Sequence, residues 1–178
     1  MIVFIIVVAI LFVAAMLGYV VVRLDPLRTQ PWRETATPGL PHSLVLSTLV
    51  IVASSASLHW SLVRVRRGDR GGSARALTVA YWLGIVFVGL QLVAWWTLWR
   101  EGVTITSSLY AWTFFVLTAL HALHIAGGLC GMRLTLVRAR EGAYSPIRHN
   151  GIMLCAMYWH SLAVIWFVLY AVLWVGSA

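Results

Sequence analysis

The sequence predicts an all-α protein: a polytopic transmembrane bundle of five helices forming a single membrane domain over residues 1–178. Three observations carry this. Of the 178 residues, 61% are hydrophobic and only 10% charged, whereas soluble domains are roughly one quarter charged. Five apolar runs, about residues 2–22, 43–63, 77–99, 109–137 and 152–175, reach the roughly 20 residues a helix needs to cross the hydrocarbon core. All thirteen basic residues are arginine and nearly all fall between those runs, so the net charge of +8 reflects membrane topology rather than a nucleic-acid partner.

The first run lacks a basic n-region and a small-residue cleavage site, and Tyr19-Val-Val-Val-Arg23 has the character of a helix end. A retained span is therefore expected rather than a signal peptide. The loop that follows carries Pro26, Pro31, Pro38 and Pro41, which remove backbone donors and break helices, so it is expected to be irregular or capped. The second span gives way to a tight basic turn running from Arg64 to Ser73, and the third ends around Arg100, Glu101 and Gly102. The fourth is followed by Arg138, Arg140, Glu141, Pro146 and Arg148. With five spans, the two arginine-rich loops lie on the side of the N-terminus. The positive-inside rule then puts the N-terminus in the cytoplasm and the C-terminus outside. Trp99, Trp112 and Trp174 at span ends suit an interfacial belt.

Histidine is the unusual ingredient of these spans. Ionisable groups at membrane depth are expensive and by default face protein or water. Helical spacing sets Leu117, His121, His124, Gly128 and Gly131 on one stripe of the fourth span and Met153, Ala156, His160, Ala163, Phe167 and Tyr170 on one stripe of the fifth. Ser55 and His59 share a face of the second, and Gln91 is the strongly polar residue of the third. Gly127 and Gly131 form a G-x-x-x-G, a weakly specific signal for close helix contact.

Imidazoles on neighbouring helices are one way to ligate haem iron, which makes a free-standing b-type cytochrome one reading. The other is that the histidines stay neutral and hydrogen-bond across the bundle, at about 1 kcal/mol each. A proton relay normally adds intramembrane acids, yet Asp25, Glu34, Asp69, Glu101 and Glu141 all fall in loops or at span ends. Cys130 and Cys155 sit in apolar runs and are not spaced for a metal site with the histidines. No Ser/His/Asp set or phosphate loop is present, so a catalytic centre is not expected.

The order of several motifs resembles subunit III of the haem-copper (cytochrome c) oxidases. Ser54-Ser-Ala-Ser-Leu-His59-Trp60 resembles that family's serine-rich run ending in His-Trp, and Gln91 resembles its Leu-Gln helix. Phe114-Phe-Val-Leu-Thr-Ala-Leu-His121-Ala-Leu-His124-Ile resembles its paired-histidine segment, and Tyr158-Trp159-His160 with Trp166 resembles its Tyr-Trp-His segment. The family commonly has seven helices, and this chain resembles a short five-helix form. The resemblance implies an accessory bundle without redox cofactors in a bacterial plasma (inner) membrane, packed through the signature residues His59, Trp60, Gln91, His121, His124, Tyr158, Trp159, His160 and Trp166, beside a catalytic subunit I that holds haem and copper, and with subunit II. It also implies phospholipid binding, stabilisation of subunit I and a link to oxygen access and proton uptake, with Arg138, Arg148 and His149 as candidate phosphate contacts. Where the family often has intramembrane acids, this chain has Ala94, Met153 and Ala163, and no acid between Ile2 and Val22. That departure puts an acid-dependent proton role in doubt and leaves a subunit III-like partner of a nitric oxide reductase as an alternative.

Overall fold

The computed structural model describes residues Ile2–Leu24 and Ser43–Ser177. Five helices follow in order: α1 (Ile2–Leu24), α2 (Ser43–Arg66), α3 (Arg70–Arg100), α4 (Leu109–Arg140) and α5 (Asn150–Ser177). All are long and apolar enough to cross a membrane. The expectation for the proline-bearing loop after α1 falls outside the described residues.

Helices α2, α3, α4 and α5 form a ring in which each packs on the next and α5 closes back on α2, with α2 against α3 the most extensive seam. α1 lies outside the ring, against α5 and, more thinly, α4. The α2–α3 seam is close because α2 presents a serine every seventh residue, and Ser47, Ser54 and Ser61 are all buried. Ser54 donates to the Ala80 carbonyl at 2.8 Å and Ser61 to the Ser73 carbonyl at 2.9 Å. Small hydroxyls that bond the facing backbone satisfy their own polarity and let two helices approach.

The chain ends are sharper than the apolar runs alone predict. α3 starts at Arg70, seven residues before the predicted span, and takes in glycines assigned by sequence to the turn. The reason is local. Asp69 caps the helix, its carboxylate accepting from the Gly72 N–H at 2.7 Å and from Arg64 Nη1 at 2.8 Å, which supplies an orphan amide with an acceptor. The Gly72 amide, and with it Arg64, holds the Asp69 carboxyl below the usual range. On the other side of the turn Gly68 takes φ +83°, a conformation open to glycine, and Asp69 N–H then reaches the Arg64 carbonyl at 3.0 Å. Gly142 ends α4 in the same way, with φ +75° and the Ala143 N–H bonded to the Arg138 carbonyl.

The two arginine-rich turns lie side by side. Arg66 Nε donates to His149 Nε2 at 3.3 Å, and Arg140 Nη2 to Thr78 Oγ1 at 3.3 Å. On α5 the most deeply buried side chains are Ile152, Trp159, Leu162, Trp166, Leu169 and Leu173. The inward face is therefore centred one residue before the His160 stripe, because the two indoles bury more apolar surface than the histidine stripe does.

Candidate functional site

All five helices meet at one imidazole and one indole. His121 of α4 is fully buried. Its ring stacks on Trp166 of α5, with centroids 5.3 Å apart, and meets the edges of Phe12 of α1 at 5.8 Å and Phe87 of α3 at 6.0 Å. Trp166 completes the set by donating from Nε1 to Thr48 Oγ1 of α2 at 3.0 Å. Neither ring nitrogen of His121 has a hydrogen-bond partner among the described residues. The expected hydrogen bond across the bundle is not made by this residue, whose neighbours are aromatic on three sides.

His124 is half-buried and turns back on its own helix, Nδ1 lying 2.7 Å from the Leu120 carbonyl. A carbonyl only accepts, so Nδ1 carries the proton. Phe12 packs on it edge-on at 5.4 Å, and Tyr158 Oη donates to its backbone carbonyl at 3.2 Å. His160 alone among the three makes the expected contact between helices, pairing through Nδ1 with the Ser55 hydroxyl of α2. Its ring also lies 6.0 Å from that of His59.

His59 and Trp60 do not pack inside the bundle, contrary to the expectation from sequence. His59 is exposed, and Trp60 is 52% exposed with the Arg64 guanidinium 5.6 Å above its ring. One turn separates Trp60 from Arg64, so this outer face of α2 carries a cation–π pair. Of the remaining signature residues, Gln91, Trp159 and Trp166 are buried and Tyr158 is half-buried. Gln91 donates from Nε2 to Ser47 Oγ at 3.1 Å. Trp159 donates from Nε1 to Ser54 Oγ at 3.1 Å and fills a slot between Gly84 and Gly128. A Cβ on Gly84 would stand 2.8 Å from Trp159 Cη2, and one on Gly128 3.2 Å from Trp159 Cε3.

The other glycines of α4 behave differently. A Cβ on Gly127 or Gly131 would meet nothing within 4 Å, so the G-x-x-x-G is not a contact between helices of this chain and Gly131 leaves the predicted packing stripe. Both line a groove of about 450 Å³ between α1, α4 and α5, walled by Phe4, Tyr158, Leu154 and Cys155. Arg138 stands at its end near Tyr144. Arg148 and His149 are not in its lining. Arg148 is exposed, and His149 is engaged with Arg66.

Among the described residues no three histidine, cysteine or acidic side chains gather in one place. Asp69, Glu101 and Glu141 all sit at helix caps. No ring contact among the described residues joins His121 or His124 to His59 or His160, so these four histidines form two groups rather than one convergent ligand set. The interior polar groups are arranged to seat tryptophans and join helices. Sequence reading passed over Thr48, Phe12 and Phe87, which complete the His121 site; the seven-residue serine repeat was the available sign that α2 packs closely on a neighbouring helix.

Fold and interior together define a multi-pass α-helical membrane protein whose polar core serves packing. The sequence profile of cytochrome c oxidase subunit III matches residues 1–177. The chain belongs to the cytochrome c oxidase subunit III family, whose members are accessory rather than catalytic subunits. It is 29% identical over 153 residues to cytochrome c oxidase subunit 3 of Corynebacterium diphtheriae, covering 85% of this chain and 74% of that one. Identity to a probable cytochrome c oxidase subunit 3 of Mycobacterium bovis is 31% over 143 residues, 80% of this chain and 70% of the relative. Cytochrome c oxidase subunit 3 of Branchiostoma lanceolatum is 31% identical over 153 residues, 85% of this chain but 55% of the longer relative.

Proposed function

We propose that this chain, as the accessory subunit of an oxidase complex, lies against the catalytic subunit I in the membrane, stabilises it, and holds a phospholipid in the groove between α1, α4 and α5. Haem and copper chemistry belongs to subunit I. The observation that carries the lipid reading is the pairing of an apolar groove floored by Gly127 and Gly131 with Arg138 at its end. Bare glycine backbone gives an acyl chain room to lie along α4. A guanidinium is always charged and offers a planar fork of donors that matches phosphate. The arginine-bearing turns joined by Arg66 and His149 lie at one end of the bundle, and the positive-inside rule supports a cytoplasmic position for that end and an inner-leaflet headgroup.

Lipid analysis of the purified complex tests this. Gly131→Leu fills the groove without meeting a neighbour at Cβ, and Arg138→Gln removes the charge. Each variant is expected to lose tightly held phospholipid and to shorten the turnover lifetime of the oxidase while this chain stays in the complex. Unchanged lipid content and lifetime in both would refute the reading.

A further inference from the structure

Arg133 stands apart from the other arginines. It is the one that falls inside a predicted span, and its side chain is exposed on the outer surface of α4. Among the described residues no hydrogen bond or ion pair reaches it. It lies on a seam of exposed residues, Ala119, Leu123, Ala126, Cys130, Arg133 and Val137, whose alternating spacing of three and four keeps them on one side of the helix.

A guanidinium set bare against lipid is unfavourable, and charged groups in spans are usually paired. The bundle's own answer to that cost is missing here, because the described carboxylates all cap helix ends. Reaching a headgroup is the competing solution. The Cα–Cβ bond of a helical residue leans toward the helix N-terminus, so the Arg133 stem leaves α4 on the side away from the Arg138 and Arg140 end. Leu134 and Val137, 65% and 47% exposed, carry the apolar surface further toward that end. On the N-terminal side Ala126 and Cys130 present little bulk, so another helix can come close where the guanidinium lies.

The geometry points to this seam as the docking face for a transmembrane helix of a partner subunit that presents an aspartate or glutamate carboxylate at the level of Arg133. The inference rests on the reading of the chain as an assembled oxidase subunit and adds the face and its chemistry. An ion pair shielded from water inside the bilayer fixes register as well as contact, since a slip of one turn leaves both charges unpaired.

The test uses the intact complex. A photo-crosslinking residue at Ala126 is expected to give an adduct with another subunit, and Arg133→Glu to lower recovery of this chain with the purified complex at least tenfold. Arg133→Lys, which keeps the charge, should retain most of it, with the amount of each variant in the membrane measured alongside to separate docking from folding. Adducts with lipid alone or with a second copy of this chain would overturn the inference, as would full retention of Arg133→Glu. Failure of the wild-type chain to co-purify at all would instead remove the accessory-subunit reading and this one with it.

Discussion

Alanine placed at three glycines separates the packing role of α3 and α4 from intrinsic helix preference. In an exposed helix interior, glycine to alanine gains about 1 kcal/mol of propensity. Gly131 shows that gain alone, since its Cβ meets nothing within 4 Å. At Gly128 the nearest atoms are 3.1 Å (Tyr158 Cε1) and 3.2 Å (Trp159), so part of the gain goes into displacing a ring. At Gly84 the new methyl is 2.8 Å from both Leu129 Cδ2 and Trp159 Cη2. Trp159 is fully buried and tied to Ser54, so it has little room to give. Overpacking of a filled core costs about 1–3 kcal/mol, which makes Gly84→Ala neutral to about 2 kcal/mol destabilising after the propensity gain. The assay is thermal unfolding of the purified protein in detergent, followed by intrinsic tryptophan fluorescence. The expected order of midpoints is Gly131→Ala at or above wild type, then Gly128→Ala, then Gly84→Ala. A Gly84→Ala protein as stable as Gly131→Ala would show that Trp159 does not fill the slot described.

Two further outcomes follow from the interior and the charge distribution. Among the described residues His121 has no hydrogen-bond partner for either ring nitrogen and makes three ring contacts. His121→Phe should be neutral or stabilising by about 1–2 kcal/mol, since it keeps the rings and removes unpaired polarity, whereas His121→Gln loses ring pairs worth about 0.5–1.5 kcal/mol each and keeps a buried amide. Thermal midpoints in which glutamine is tolerated and phenylalanine is not would reverse this. A reporter active only in the cytoplasm, fused after residue 178, should be silent, while one placed in the α2–α3 turn should be active; the opposite pattern would invert the proposed orientation.

The length of the apolar runs placed the helices well because membrane spans are set by length and hydrophobicity, both local properties. It misplaced the start of α3, since the Asp69 cap depends on a side chain turning back onto Gly72. Family motifs pointed to His59, Trp60, His121, His124 and His160 as one packing group. The structure divides them, with His59 and Trp60 exposed, His124 bonded to its own helix and His121 enclosed by rings. Spacing on one helix tells which residues share a face, while the partner of that face is a property of the whole ring. Arg133 was visible in the sequence as a charge within a span; that no acceptor among the described residues reaches it was not.

The amino-acid sequence by itself determined that this protein crosses the membrane with five helices and belongs among oxidase accessory subunits, because hydrophobic length and ordered motifs are written along the chain. Only the tertiary structure decided which glycine seats an indole and which opens a groove. Gly127 and Gly128 are neighbours in sequence and differ by 100° around α4, so Trp159 meets one and the groove the other.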